Sequence, residues 1–418
     1  MRARAKPASK GETAAPAAGS AGERPLPGAA TGVSRREAPA LLMAAVACFW
    51  GALYLYVPIL TPYAETLGAS MTLLGLIVSS YGFSQLVLRI PVGIWSDRIG
   101  RRKPFIAAGY IAAVLAGLGL ALSRGPYGVL AARTLSGVAA TMWVVITVLF
   151  SSYFPPHRAG YAMSLINFAT TLTQLAATLG GGLIAEAWGW QAPFWGAAVI
   201  GGVGLVLTVP LREAAPARPA GLRIGELTAV GRERSLLAVS LLAALYQFHT
   251  WVTVYGFTPN YAAGLGATKA QLGWLSLVST LPTAIASLGT GSFLARRFNE
   301  RQMVVAGFWM AAFATLAIPF MAALPPLFVT QAVGGFGRGL IFPVLMGLAI
   351  KTVPEEKRAT AMGFFQSIYA LGMFGGPVFA GFAAEFWGLP GAFWAATAVT
   401  AIGALGSMAA LGPGRTAP

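Results

Sequence analysis

The chain has 418 residues, 56% of them hydrophobic and only 10% charged, against about 45–50% apolar and about 25% charged in average soluble proteins. Too little polar surface remains to face water, so a soluble globular protein is excluded, and apolar runs recurring from Leu41 to Leu411 exclude disorder over most of the length. The formal net charge is +16, but its basic residues are scattered among loops between apolar runs, which argues for membrane topology and against nucleic-acid binding.

Residues 1–38 form a Pro/Ala/Gly-rich tail with no apolar run, read as a disordered cytoplasmic segment. No hydrophobic signal core precedes the first full-length span, so the tail does not read as a cleavable secretory signal, and Glu12, Glu23 and Glu37 argue against a transit peptide. Twelve apolar spans of about 20 residues follow, beginning near residues 40, 72, 104, 126, 160, 191, 236, 270, 302, 327, 360 and 391. They predict an all-α membrane protein of twelve transmembrane helices: a six-helix bundle over 39–211, a cytoplasmic linker at 212–235 containing Arg212, Arg218 and Arg223, a second bundle over 236–411 and a tail at 412–418.

With the N-terminus inside, 24 of the 29 Lys and Arg fall in cytoplasmic segments and only Arg124 and Lys269 outside; Arg89, Arg133 and Arg338 lie within spans. Positive charge is retained in cytoplasmic loops, so both termini are expected inside, in a bacterial-type inner membrane. The basic loops are also expected to meet anionic lipid headgroups.

The two halves repeat each other. Arg158-Ala159 leads a span ending Glu186-Ala187-Trp188-Gly189 and followed by Phe194-Trp195, while Arg358-Ala359 leads one ending Glu385-Phe386-Trp387-Gly388 and followed by Phe393-Trp394, an offset of 199–200 residues throughout. Six spans per half give the same orientation, a parallel repeat about an axis along the membrane normal. Two like bundles that can rock about a centre suit alternating access.

After span 2 comes Gly93-Ile94-Trp95-Ser96-Asp97-Arg98-Ile99-Gly100-Arg101-Arg102-Lys103. This resembles the signature loop of the major facilitator superfamily, G-x-x-x-D-R-x-G-R-R/K, in sequence and position. The second half has a worn copy, Gly291 to Arg297, with Ala295 at the acidic position. The resemblance covers roughly residues 40–411 and implies that family's fold, two pseudo-symmetric six-helix bundles, and a latch in which Asp97 faces the N-terminus of span 11 near Thr360. Gly93 is expected to allow close helix packing. Alternatively, Arg98, Arg101, Arg102 and Lys103 serve topology alone.

Span 4 carries Arg133 four residues before Gly137, which looks like the R-x-x-x-G element of proton-coupled members. An arginine in hydrocarbon costs about 2.5–3.5 kcal/mol, so it should face a cavity or a partner, or else snorkel to the outer interface. The antiporter element of span 5, G-P-x-x-G-G, would fall on Ala177 to Gly182, where its first glycine and proline are missing; Gly376-Pro377 to Gly381 in span 11 keeps more of it. Glycine-rich packing explains both stretches, and the departure weakens drug–proton antiport.

Ten of the 13 acidic residues are cytoplasmic and three, Glu65, Glu186 and Glu385, sit near outer span ends, leaving none at the bilayer centre. The two outer glutamates at equivalent repeat positions suggest a shared fold role. At mid-depth stand His249 and Arg338, with Tyr246, Gln247, Trp251 and Phe342 around them; Trp50, Tyr54, Gln85, Asn167 and Gln174 are lining candidates from the first half. Spans 1, 4, 7 and 10 line the cavity, as the resemblance implies. His249 is the candidate proton carrier beside Arg133, because its reference pKa is about 6.5, and Arg338 is the candidate anchor for a carboxylate. The alternatives are a hydrogen-bonded packing role for His249, backbone carbonyl partners for Arg338, and ordinary packing for the aromatics. Arg89 reads as structural, near the inner interface.

Cys48 is the only cysteine and His157 and His249 are the only histidines, so neither a metal site nor a nucleophilic triad can be drawn, and an enzyme or bound cofactor is not expected. The leading expectation is a monomeric secondary transporter working by alternating access, exporting amphipathic or weakly acidic small molecules with proton coupling. An importer of an organic anion is the alternative, and a lipid flippase or a non-transporting receptor the third reading.

Overall fold

The computed structural model describes residues 37–155, 158–211, 213, 233–351, 353 and 358–411. Both tails, His157 and nearly all of the predicted linker, including Arg212, Arg218 and Arg223, lie outside the described residues. No strand occurs among the described residues.

Among the described residues, ten helices are long and apolar enough to cross a membrane: Ala38–Thr66, Met71–Ile99, Lys103–Leu122, Pro126–Ser152, Tyr161–Trp188, Arg234–Gly264, Lys269–Thr290, Glu300–Phe320, Leu324–Lys351 and Thr360–Ala410. The predicted span 6 is a shorter apolar helix, Ala192–Thr208. The last helix has 51 residues, about 75 Å if straight, against a hydrocarbon core of about 30 Å. Its backbone leaves the helical region at Trp387 and Gly388, where Gly388 takes φ +67°. Gly189, at φ +90°, ends span 5 at the equivalent repeat position. Glycine tolerates this left-handed backbone without the Cβ penalty, so spans 11 and 12 part where spans 5 and 6 do. Two adjustments to the expectation concern length: span 6 is short, and span 7 begins at Arg234, inside the predicted linker.

Spans 1 and 7 are both broken. Span 1 is two helices, Ala38–Tyr54 and Val57–Thr66, separated at Leu55 and Tyr56. Span 7 passes through a π-helical turn at Thr253–Phe257. Pro58 and Pro259 explain the positions, since neither ring nitrogen can donate to the carbonyl one turn back; π turns of this kind recur at functional sites.

The 2–3 loop defines one end of the bundle, here the basic end. Toward it each half has its own buried cluster, around Phe49, Tyr110 and Phe150 in the first half and around Leu236, Phe308 and Phe365 in the second; the first also takes in Trp251 and Met373. At the far end a single cluster runs through both halves, joining Ile59, Leu60 and Phe194 to Phe257, Leu272 and Phe393. Span 2 packs along span 11 and span 5 along span 8. Small residues permit these crossings. A Cβ at Gly75 would stand 2.2 Å from the Pro377 carbonyl oxygen and one at Gly182 2.6 Å from that of Lys269. Gly273 and Gly381 face Gly182 and Gly75 across these two crossings, so the repeat builds the same contact twice. Gly93 does not mark a close crossing, contrary to expectation: a Cβ there meets only Val144, at 3.8 Å. The glycines of span 2 that meet span 11 closely are Gly75 and Gly82.

Candidate functional site

The far end is closed by bonds between the halves. Ser70 and Thr268 cap the N-termini of spans 2 and 8 with their hydroxyls, and Thr268 completes a capping box with Gln271. Each terminus then meets a glutamate from the other half. Glu385 accepts from the Thr72 amide at 3.0 Å, and Glu186 from the Lys269 amide at 2.8 Å and the Ala270 amide at 3.3 Å. Unpaired helix-terminal amides and the helix dipole both favour a carboxylate there. Glu65 accepts from the Asn260 side chain, and the Thr61 hydroxyl donates to the Gly256 carbonyl at 2.9 Å, beside the π turn. Thus all three acids expected at the outer rim are engaged across the interface.

Inside this seal the interface is aromatic. Tyr81 of span 2 stacks on Trp251 of span 7 with ring centroids 5.3 Å apart, and Tyr54 meets Tyr255 edge-on at 6.2 Å. Trp50 packs against Tyr54 and Trp143. Arg133 is 3% exposed and lies 4.3 Å from the Tyr81 ring centroid. It therefore does not snorkel to the interface. Its burial against a π face supplies a cation–π contact. Tyr246 stacks on Phe342 at 5.1 Å, and Phe342 meets Tyr369 at 5.8 Å.

Trp50, Tyr54, Arg133 and Trp251 meet at this interface, whereas Tyr246 and Phe342 pack in the second half's own cluster. Gln85 is buried and accepts from Arg89. Arg338 is buried and turns into its own half, donating to the Ser279 carbonyl at 3.2 Å and to the Ser279 hydroxyl. His249 likewise turns into its own half, its Nε2 sharing a 2.8 Å hydrogen bond with the Thr315 hydroxyl of span 9. Asn167 is exposed and donates to the Met163 carbonyl in its own helix, and Gln174 is half-buried. Among the described residues the ion pairs are Asp97–Arg102 and Glu300–Lys351, so Arg89, Arg133 and Arg338 have neutral partners only. Trp50 Nε1, Arg89 Nε and Arg133 Nε are buried donors with no acceptor in reach.

Arg89, expected to be structural near the inner interface, bonds across the two halves. Its guanidinium crosses to span 11, donating to the Gln366 side-chain oxygen at 3.1 Å and the Tyr369 hydroxyl at 3.4 Å. The hydropathy of span 2 carries no sign of this; the repeat register, by contrast, already exposed Glu186 and Glu385.

At the basic end, Gly100 closes span 2 in the left-handed conformation at φ +67° and donates to the Ser96 carbonyl. Asp97 pairs with Arg102 at 3.4 Å, on its own loop, and among the described residues it makes no bond to span 11. Arg98 and Arg101 are exposed. The N-terminal amides of span 3, on Arg102 and Lys103, bind Glu213 at 2.9 and 2.6 Å. A carboxylate on a helix terminus does occur at this loop, but it comes from the chain just after span 6.

The sequence profile of the Major Facilitator Superfamily matches residues 42–264 and again 239–418. The chain belongs to the Major Facilitator Superfamily. An uncharacterized transporter of this superfamily from Methanocaldococcus jannaschii, MJ1560, is 22% identical over 355 residues, 79% of this chain and 87% of that protein. The multi-drug resistance efflux pump PmrA of Streptococcus pneumoniae is 25% identical over 368 residues, 84% of this chain and 90% of that protein. Among solved structures, the bacterial homolog of the human lysosomal transporter Spinster, in an inward-facing and unoccupied conformation, superposes with a TM-score of 0.77 over 90% of this chain and 96% of that one, at 16% identity. The fold and the superfamily make this a multi-pass integral membrane transporter.

Proposed function

We propose that this superfamily member is a proton-coupled exporter of amphipathic, weakly acidic small molecules, working by alternating access. The observation that carries the reading is the charge within the spans: Arg133 between the halves, Arg89 nearer the basic end and Arg338 inside the second half face neutral groups and aromatic rings, with no carboxylate among the described residues to neutralise them. Uncompensated charge at this depth marks a substrate or ion pathway. An anionic or electron-rich guest is the complement of that charge, and a lipophilic cation is not. Aromatic faces suit the apolar body of such a guest. The efflux direction leans on the likeness to PmrA.

Alternating access is supported by the distribution of contacts. Polar bonds and a shared core join the halves at the far end, while toward the basic end the two cores are separate apart from Trp251 and Met373, which join the first half's cluster. With the basic end cytoplasmic, this is a state closed to the outside. Arg133 and His249 are the residues assigned to proton coupling. The Thr315 hydroxyl can donate to or accept from His249, so that bond can adapt to either protonation state.

The test is the protein in liposomes carrying a pH dye and an imposed proton gradient, challenged with lipophilic cationic drugs and with amphipathic carboxylates. Proton flux driven by the carboxylates and lost in Arg133→Gln is expected. Flux with the cationic panel alone would overturn the reading. Carboxylate uptake without proton movement would replace the exporter with an organic-anion importer.

A further inference from the structure

Arg89 lies on the basic side of the glycine contacts between spans 2 and 11. Toward the far end the two helices are in backbone contact at Gly75 and Gly82, against Pro377 and Met373. Two turns further along span 2, Arg89 makes the cross-half bonds that lie nearest the basic end among the described residues. All of its acceptors are neutral: the Gln85 and Gln366 side-chain oxygens and the Tyr369 hydroxyl. Its Nε–H is buried and has no acceptor. Beyond Tyr369, ring contacts run through Phe342 to Tyr246 in the second half.

We propose that Arg89, Gln366 and Tyr369 form a binding site, shared by the two halves, for the carboxylate of an aromatic or amphipathic acid whose apolar body lies against Phe342 and Tyr246. This rests on the reading of a weakly acidic cargo given above and names where the acid is held. A guanidinium presents a planar fork matched to a carboxylate, and an anionic acceptor adds a charge–charge attraction that the neutral acceptors Arg89 now holds do not supply. The incoming carboxylate takes the place of the Gln366 oxygen. Rotation of that amide turns its NH₂ toward the guest, and the Tyr369 hydroxyl turns to donate. The orphaned Nε–H gains an acceptor. Because the partners come from both halves, the bound acid bridges spans 2 and 11 on the basic side of their glycine contacts.

The test uses the full-length protein in nanodiscs and a matched pair of probes, 2-naphthylacetate and the neutral 2-naphthylacetamide, with affinities read by equilibrium binding. Wild type is expected to prefer the carboxylate. Arg89→Gln should lower carboxylate affinity by about 10- to 100-fold and leave the amide unchanged. Gln366→Glu is the second variant: it supplies Arg89 with a built-in carboxylate and should exclude the acid while sparing the amide, even if Arg89→Gln fails to fold. Tyr369→Phe should cost a few-fold. A carboxylate preference that survives both Arg89→Gln and Gln366→Glu overturns the site while leaving the weakly acidic cargo standing. Binding of the amide alone by wild type overturns the cargo reading and the site with it.

Discussion

Glu385 accepts the Thr72 amide at 3.0 Å as Glu186 accepts the Lys269 amide at 2.8 Å, two repeat-equivalent carboxylates each capping a helix of the opposite half. Both glutamates are exposed, so each cap contributes at the low end of the helix-terminus range, about 0.3–1 kcal/mol. Together they shift the balance between closed and open far ends by roughly threefold to thirtyfold. In a Cys48→Ala background, Thr258→Cys places a thiol beside Phe257 of the far-end core, at a position that is 1% exposed. Glu186→Gln combined with Glu385→Gln should raise its labelling by an impermeant maleimide by that factor. Equal labelling rates would show that the seal does not depend on the caps.

The glycines of span 5 separate packing from mere composition. A Cβ at Gly182 meets backbone at 2.6–2.7 Å, while one at Gly180 meets nothing within 4 Å. Overpacking costs about 1–3 kcal/mol where the neighbour cannot yield, and backbone yields least. Gly182→Ala should therefore cut transport at least tenfold and lower the thermal midpoint, with Gly180→Ala close to wild type in both. Similar behaviour of the two variants would mean that spans 5 and 8 do not approach this closely.

Tyr81 touches both Arg133 and Trp251, so its ring rather than its hydroxyl is the feature to remove. Tyr81→Phe retains the stack and the π face and should transport at near wild-type rates. Tyr81→Ala should destabilise the protein by about 3–5 kcal/mol, as expected for deleting a buried aromatic, and leave Arg133 without its π partner. Thermal unfolding of the purified variants checks the first effect and vesicle flux the second.

Asp97→Asn removes a partly exposed ion pair with Arg102, a loss of at most about 1 kcal/mol. Stability and substrate binding should hardly change. Turnover should fall if Asp97 engages span 11 when the basic end closes, a contact distinct from the one it makes in this state. An unchanged transport rate would assign the motif's acid to its own loop.

Much of this was legible in the sequence because it depends on composition and order. The apolar runs placed helices to within a few residues, and the 199-residue register of Glu186 and Glu385 announced a paired structure before any contact was visible. Span 6, expected from about residue 191, begins at Ala192 and is only 17 residues long. Other features were hidden because they depend on which way a side chain points. Arg89 reads as structural near the inner interface, His249 as a candidate proton carrier and Glu213 as one charge of the predicted linker, none with its partner visible.

The amino-acid order determined the class of protein, the two like halves and the signature loop, since burying about 20 consecutive residues in hydrocarbon requires only that they be apolar and helical. Hydropathy sets how deep a residue lies in the membrane; the rotation of each helix is set by packing against its neighbours. That rotation is what brought Arg89 to Gln366, turned His249 toward Thr315, and set Glu186 and Glu385 on the helix termini of the opposite halves, and it was decided by the tertiary structure alone.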